Sequence, residues 1–203
     1  MTLEIKISKK LIPYKSAFIF LKKRVDSLKK QKGEDLLWIL EHPLTFTGGI
    51  RSKKNEILDE KIKILKTNRG GKITLHNPGQ KIVYFVLDLN KKKKDIRNLV
   101  KQIELSIIEF LKLYNIKSYA DKENVGIWVG DKKIAAIGIR VSQWIAYHGC
   151  SININNNLDH YKKIIPCGLN NNKITSMHEE TKEKIVNVEK NLKKIFIENL
   201  KNI

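Results

Sequence analysis

Pro166-Cys167-Gly168 is the first place in this chain where side-chain chemistry suggests itself. A cysteine between proline and glycine sits in a turn that can present its sulfur instead of packing it. A thiolate is the best nucleophile available near neutral pH. The competing reading is a small buried apolar residue, the common fate of an isolated cysteine. Cys150, in the middle of an apolar run, takes that second reading. A thiol needs activation, and Lys133 is the candidate partner, because it opens the run Ile134-Ala135-Ala136-Ile137-Gly138 at the edge of the least charged part of the sequence. Desolvation lowers the pKa of a lysine and a nearby ammonium lowers that of a thiol, so a Cys–Lys pair can share a proton. Against it stands one more surface lysine among 35, the 40 basic residues less five arginines.

A second cluster is the segment Arg69-Gly70-Gly71-Lys72-Ile73-Thr74-Leu75-His76-Asn77-Pro78-Gly79-Gln80. Its paired glycines let backbone approach a ligand, and Pro78-Gly79 imposes a turn before the next apolar run. Arg69 supplies a fixed charge and His76 a hydrogen-bond donor. The segment fits neither the Walker phosphate loop nor the dinucleotide fingerprint. His148-Gly149, Asn153 and Asn155 place polar groups in an otherwise apolar stretch, and the five histidines show no metal-ligand spacing, so no metal is expected.

These residues must be held by elements legible in the pattern. Apolar positions Tyr14, Ala17, Phe18, Leu21, Val25 and Leu28 follow helical spacing, with Pro13 in the first turn and Gly33 toward the end. Ile96, Leu99, Ile103, Ile107, Phe110 and Tyr114 define a second helix with Asp95 as N-cap. A third is expected from about Thr181 to Lys201, burying Ile185, Val188, Leu192, Ile195, Phe196 and Leu200. Strand-like runs rich in Ile, Val and aromatics cover residues 3–8, 36–40, 81–89, 125–129, 134–141 and 144–154. Gly130-Asp131 forms the turn of a hairpin. Strand following strand, without intervening helices, predicts a mixed, largely antiparallel sheet flanked by helices: an α+β fold. The whole chain, residues 1–203, reads as one domain.

Composition sets the class. With 41% hydrophobic and 30% charged residues, the chain is a soluble globular type and not a disordered one. No apolar run approaches the ~18 residues that span a membrane, and the N-terminus lacks a secretion core. Two cysteines make no disulfide framework, so a reduced, cytoplasmic protein is expected. The formal charge of +19 suggests nucleic acid, but only five of 40 basic residues are the arginines that base and bidentate phosphate recognition favour. The alternatives are a genome-wide bias toward Lys, Ile and Asn codons, or a surface that steers acidic partners. Residues 125–176 carry six basic and two acidic side chains, +4 of the +19, leaving +15 for the other 151 residues. Residues 141–158 contain no Lys, Arg, Asp or Glu, which marks them as facing a core or a pocket.

Taken together, the Arg69-Gly70-Gly71…Thr74…His76…Pro78-Gly79-Gln80 segment, Val125-Gly126-Ile127-Trp128, Lys133 with its Ile-Ala-Ala-Ile-Gly run, His148-Gly149, Asn153, Asn155 and Pro166-Cys167-Gly168-Leu169 resemble the octanoyltransferase family of lipoate biosynthesis. Order and spacing agree over nearly the whole chain, and Glu41-His42-Pro43 resembles the family's early segment. The resemblance implies the fold shared with biotin and lipoate protein ligases. It implies transfer of an octanoyl group from octanoyl-acyl carrier protein to a lysine of the lipoyl domains of 2-oxoacid dehydrogenases and the glycine cleavage H protein. Cys167 would carry the acyl group as a thioester, and Lys133 would lower its pKa and shuttle protons. Arg69, Gly70, Gly71, Lys72, Ile73, Thr74, Leu75, His76, Ala136, Ile137, Gly138, Gly149, Cys150 and Ser151 would bind the acyl substrate. No cofactor, nucleic acid or membrane partner is implied, and a monomer is expected. Lys72, Leu75, Asn77, Gln143 and Cys150 depart from the residues usual at those places. Two other readings compete: an ATP-dependent lipoate or biotin ligase of the same fold, and a basic nucleic-acid-binding module.

Overall fold

The computed structural model describes residues 2–121, 123–166 and 173–203. Its main sheet has seven strands, β1 (Leu3–Ile7), β2 (Asp35–Leu40), β6 (Gln80–Asp88), β7 (Tyr119–Ala120), β8 (Ile127–Val129), β9 (Lys132–Ser142) and β10 (Ile145–Asn153), in the order β1-β2-β6-β10-β9-β8-β7. Only β1 and β2 run parallel; every other pairing is antiparallel. A smaller sheet joins β4 (Ile64–Lys66), β3 (Thr45–Gly48) and β5 (Ile73–His76) in the order β4-β3-β5.

Alternation along the strands divides the core. Leu36, Trp38, Leu40, Ile82, Tyr84 and Val86 pack against Ala17, Leu21, Val25 and Leu28 of helix α1 (Tyr14–Lys29). Their neighbours Leu37, Ile39, Val83, Phe85 and Leu87 face the other way. There they meet Leu99, Ile103, Ile107 and Phe110 of α2 (Ile96–Lys112) and Leu192 and Phe196 of α4 (Val188–Asn199). Side chains in successive strand positions point to opposite faces, so a strand covered on both sides is apolar throughout, as β2 is over its last five residues. Full burial of each such side chain contributes roughly 1.5–3 kcal/mol. The uncharged stretch becomes β10, buried at all nine positions between β6 and β9.

The α+β class, the first two helices and the N-cap are as the pattern predicts; Asp95 Oδ1 accepts the Asn98 amide at 2.9 Å. The third helix is shorter. It starts at Val188 after Asn187, whose φ of +57° is left-handed, while a single turn, α3 (Met177–Glu180), precedes residues 181–187. That intervening segment is tied to the end of α2 instead: Thr181 donates to the Tyr114 carbonyl and the Tyr114 hydroxyl donates to the Val186 carbonyl, each at 2.7 Å. The glycine-rich segment after Arg69 is only partly a loop, because Ile73–His76 is strand β5. Among the described residues no helix is long and apolar enough to cross a membrane.

Candidate active site

A cleft opens where β9 and β10 run side by side with small residues facing each other. Gly138 stands opposite Gly149, Ile137 opposite Cys150 and Ala136 opposite Ser151. The loop before β5 lies over them, its Gly70 amide bonded to the Ile139 carbonyl at 3.2 Å. A Cβ at Gly149 would stand 1.9 Å from the Val83 carbonyl oxygen, and one at Gly49 would stand 2.4 Å from that of Gly71, so both positions exclude a side chain. The cleft walls are Arg69, Gly70, Gly71, Thr74 and His76 from one side and Ala136, Ile137, Gly138, Gly149, Cys150 and Ser151 from the other. Tyr14, Ile82, Tyr84 and His148 complete them.

Three residues expected to bind substrate stand elsewhere. Ile73 and Leu75 alternate away from Thr74 and His76 and pack with Phe46, Tyr161 and Ile164. Lys72 pairs with Glu56 across 3.5 Å. Two of the unusual residues have visible structural partners: Leu75 fills that small core, and Asn77 donates to the Asn157 carbonyl at 2.8 Å and accepts from Asn156 at 3.0 Å.

A smaller recess adjoins the cleft: the two share Thr74, Ala136 and Ser151, and the recess is also lined by Lys133, Asn153, Tyr161 and Pro166. Lys133 is only 4% exposed, which removes the surface-lysine reading. Its Nζ donates to the Val125 carbonyl at 3.0 Å and lies 4.9 Å from the centre of the Trp128 ring. Gly126, at φ +145°, makes the passage: a Cβ there would fall 3.0 Å from Lys133 Cε and 2.7 Å from the Ala135 carbonyl oxygen. The spacing of Val125-Gly126-Ile127-Trp128 before Lys133 is therefore the architecture of one buried ammonium. Cys167, Gly168 and Leu169 lie outside the described residues; Pro166, directly before them, lines the Lys133 recess.

The cleft floor is polar but neutral, apart from one guanidinium. Arg69, 8% exposed, donates through one terminal nitrogen to both the carbonyl and the hydroxyl of Thr47 at 2.9 Å, and through the other to the Gly70 carbonyl at 2.9 Å. Burial lowers His42 to about 4 and, helped by the positive charges of Arg69 and Arg140, His148 to about 3. His76 is held well below its ordinary value, first by burial and then by His42 and Arg69. Burial pushes the Tyr14 and Tyr84 phenols upward. It also pushes the Cys150 thiol upward, so that thiol stays protonated and is no nucleophile.

His148 reaches this floor through a positive φ of +71°, which sets its ring against Phe18 at 5.8 Å between centroids. Its Nε2 meets Asn68 Oδ1 at 2.8 Å. Tyr14 and Tyr84 were legible only as apolar positions of a helix and a strand; no spacing rule separates a core tyrosine from one that borders a cleft. Among the described residues no three His, Cys, Asp or Glu side chains gather to hold a metal.

This fold and cleft have known counterparts. Residues 13–200 match the lipoyl protein ligase A/B catalytic domain. An octanoyltransferase from Bartonella bacilliformis is 39% identical over 188 residues, covering 86% of this chain and 78% of its own. One from Wolbachia sp. subsp. Brugia malayi is 40% identical over 178 residues, covering 85% and 87%. A bipartite lipoate protein ligase from Thermoplasma acidophilum superposes with a TM-score of 0.76 at 14% identity, over 99% of this chain and 84% of its own, which shows the shared fold. The chain belongs to the lipoyl protein ligase A/B catalytic-domain family, among its octanoyltransferases. It is an acyltransferase.

Proposed function

We propose that this chain moves an octanoyl group from octanoyl-acyl carrier protein to a lysine of lipoyl domains, those of 2-oxoacid dehydrogenases and of the glycine cleavage H protein, through a thioester on Cys167. The observation that carries the reading is the adjacency of two spaces: a cleft walled by Ile137, Gly138, Gly149 and Ile82 shares Thr74, Ala136 and Ser151 with the recess lined by Lys133 and Pro166. An acyl chain in the cleft would bring its carbonyl toward that recess. Each methylene taken from water contributes about 0.8 kcal/mol, so even partial burial selects a medium-length chain.

In the first half-reaction the Cys167 sulfur attacks the donor thioester carbonyl, a new C–S bond forms, and the donor's C–S bond breaks to release the carrier thiol. One thioester replaces another, so no ATP is consumed. In the second half the acceptor amine attacks the Cys167 thioester, an amide C–N bond forms, and the sulfur leaves. Lys133 becomes the ammonium by taking the Cys167 thiol proton, gives that proton to the departing carrier sulfur, and takes the acceptor amine's proton in the second half as Cys167 leaves as the thiolate. The net charge of +19 suits acidic partners, and +15 of it lies outside residues 125–176.

The reading predicts octanoyl transfer to a lipoyl domain from octanoyl-carrier protein alone, with no nucleotide present. Transfer only from free octanoate plus ATP would overturn it in favour of a ligase of the same fold.

A further inference from the structure

A chain of hydrogen bonds runs from the Thr175 carbonyl through Asn153 of β10 and Gln80 of β6 to His76 of β5, and its first link decides all the others. The Thr175 carbonyl accepts from Asn153 Nδ2 at 2.9 Å. A carbonyl only accepts, so that end of the Asn153 amide is its NH2 and the other end is its oxygen. Asn153 Oδ1 accepts from Gln80 Nε2 at 2.9 Å, and the same nitrogen donates to the Tyr161 hydroxyl at 3.0 Å. Gln80 is left with its oxygen against His76 Nδ1, 2.8 Å away. An amide oxygen cannot donate, so His76 Nδ1 carries the hydrogen. The ring is neutral, which leaves the lone pair on Nε2. No hydrogen bond from a described residue reaches that nitrogen. The imidazole borders the cleft with its face stacked on Tyr14, 5.8 Å between centroids and 13° between planes.

We infer that Gln80 and Asn153 are positioning residues that lock His76 in its Nδ1–H form, so that the cleft offers a hydrogen-bond acceptor at His76 Nε2 to an N–H of the bound substrate. The sequence alone suggests a donor at His76; the network reverses the polarity, because the donor is consumed by Gln80. The anchor of the chain is also close to the proposed chemistry. The Thr175 amide donates to the Lys133 carbonyl at 3.0 Å, so Lys133 and His76 are registered against one peptide segment. The tautomer stands whatever reaction the chain performs. The substrate N–H rests on the acyl-transfer reading, in which the acceptor amine and the amides of the carrier's prosthetic arm are the donors at hand.

The test is a long-range proton–nitrogen NMR spectrum of the 15N-labelled protein, with the His76 signals identified by their loss in His76→Gln. The expected result is a protonated Nδ1 and an unprotonated Nε2 at neutral pH. A proton on Nε2 in the wild-type protein overturns the proposal at once. Gln80→Glu supplies the functional arm. A carboxylate facing Nδ1 favours the doubly protonated ring, even against Arg69, His42, His148, Tyr14 and Tyr84 around it, and so removes the acceptor at Nε2. Transfer by Gln80→Glu should fall about tenfold in kcat/KM at neutral pH, the order of one lost hydrogen bond, and recover as pH rises and the imidazolium deprotonates. An unchanged pH–rate profile, with His76 shown by the same spectrum to be doubly protonated, overturns the assignment of a substrate N–H while leaving acyl transfer itself intact.

Discussion

Lys133 Nζ donates to the carbonyl of Val125 at 3.0 Å, and Gly126, the next residue along, leaves the space through which the lysine stem reaches it. A methyl group at Gly126 would meet Lys133 Cε at 3.0 Å and the Ala135 carbonyl at 2.7 Å, in a backbone conformation that side chains rarely adopt. Gly126→Ala should therefore cost roughly 1–3 kcal/mol of stability. By displacing the ammonium by a fraction of an ångström or more, it should reduce transfer on the order of 10²-fold in single-turnover kinetics. Full activity in a folded Gly126→Ala protein would show that the position of Lys133 is not critical.

Lys133→Met keeps the stem and removes the charge. It leaves the Val125 carbonyl without its donor, an effect of about 1–3 kcal/mol on urea unfolding. Loss of a proton-transfer group should slow acyl transfer about 10²- to 10⁴-fold. Iodoacetamide alkylation of Cys167 at neutral pH should slow as well, and an unchanged alkylation rate would mean that Lys133 does not activate the thiol.

Stability should fall in mild acid. His42, His76 and His148 are buried and neutral, and their folded-state values lie below the ~6.5 of an unfolded chain. Below about pH 6.5 the unfolded chain binds protons that the folded one refuses, so their unfavourable effect is absent above that pH and grows as pH drops toward 4. At pH 5 His42 and His148 each contribute roughly 2 kcal/mol of destabilisation relative to pH 7, at about 1.4 kcal/mol per unit, and His76 acts in the same direction. Urea midpoints between pH 7 and pH 5 measure this, and His148→Gln should flatten the slope. A flat wild-type profile would contradict the burial of these rings.

Much of the fold is present in the residue pattern. The apolar, β-branched and aromatic run of β6, the helical stripes of α1 and α2 and the Asp95 cap follow from local rules, and each reappears in the structure. The early end of the third helix does not follow from such rules, because it depends on residues 181–187 bonding to the end of α2, far away in sequence. The cleft was legible through its glycines, whose absent side chains are the space itself. What the motif alone cannot convey is strand parity: Thr74 and His76 face the cleft while Ile73 and Leu75 face a core, and that alternation appears once the segment is seen as a strand.

Parity and spacing also suggest how chain length is read. A Cβ at Gly138 would stand 3.4 Å from both Arg69 Cδ and the Gly70 carbonyl oxygen, a tight but tolerable contact that narrows the cleft without unfolding the sheet. Gly138→Ala should shift preference toward shorter acyl donors, by about fourfold per methylene excluded at ~0.8 kcal/mol each. Competition between hexanoyl- and octanoyl-carrier protein measures the ratio. An unchanged ratio would place the acyl chain away from Gly138.

The central claim is that Cys167 holds the acyl group during transfer. Intact-mass analysis after mixing the protein with octanoyl-carrier protein, without ATP, tests it directly. The account predicts a gain of one octanoyl group that hydroxylamine removes, that a lipoyl domain discharges, and that Cys167→Ala never acquires. An unmodified wild-type protein that still transfers octanoate, or an adduct that persists in Cys167→Ala, would contradict it.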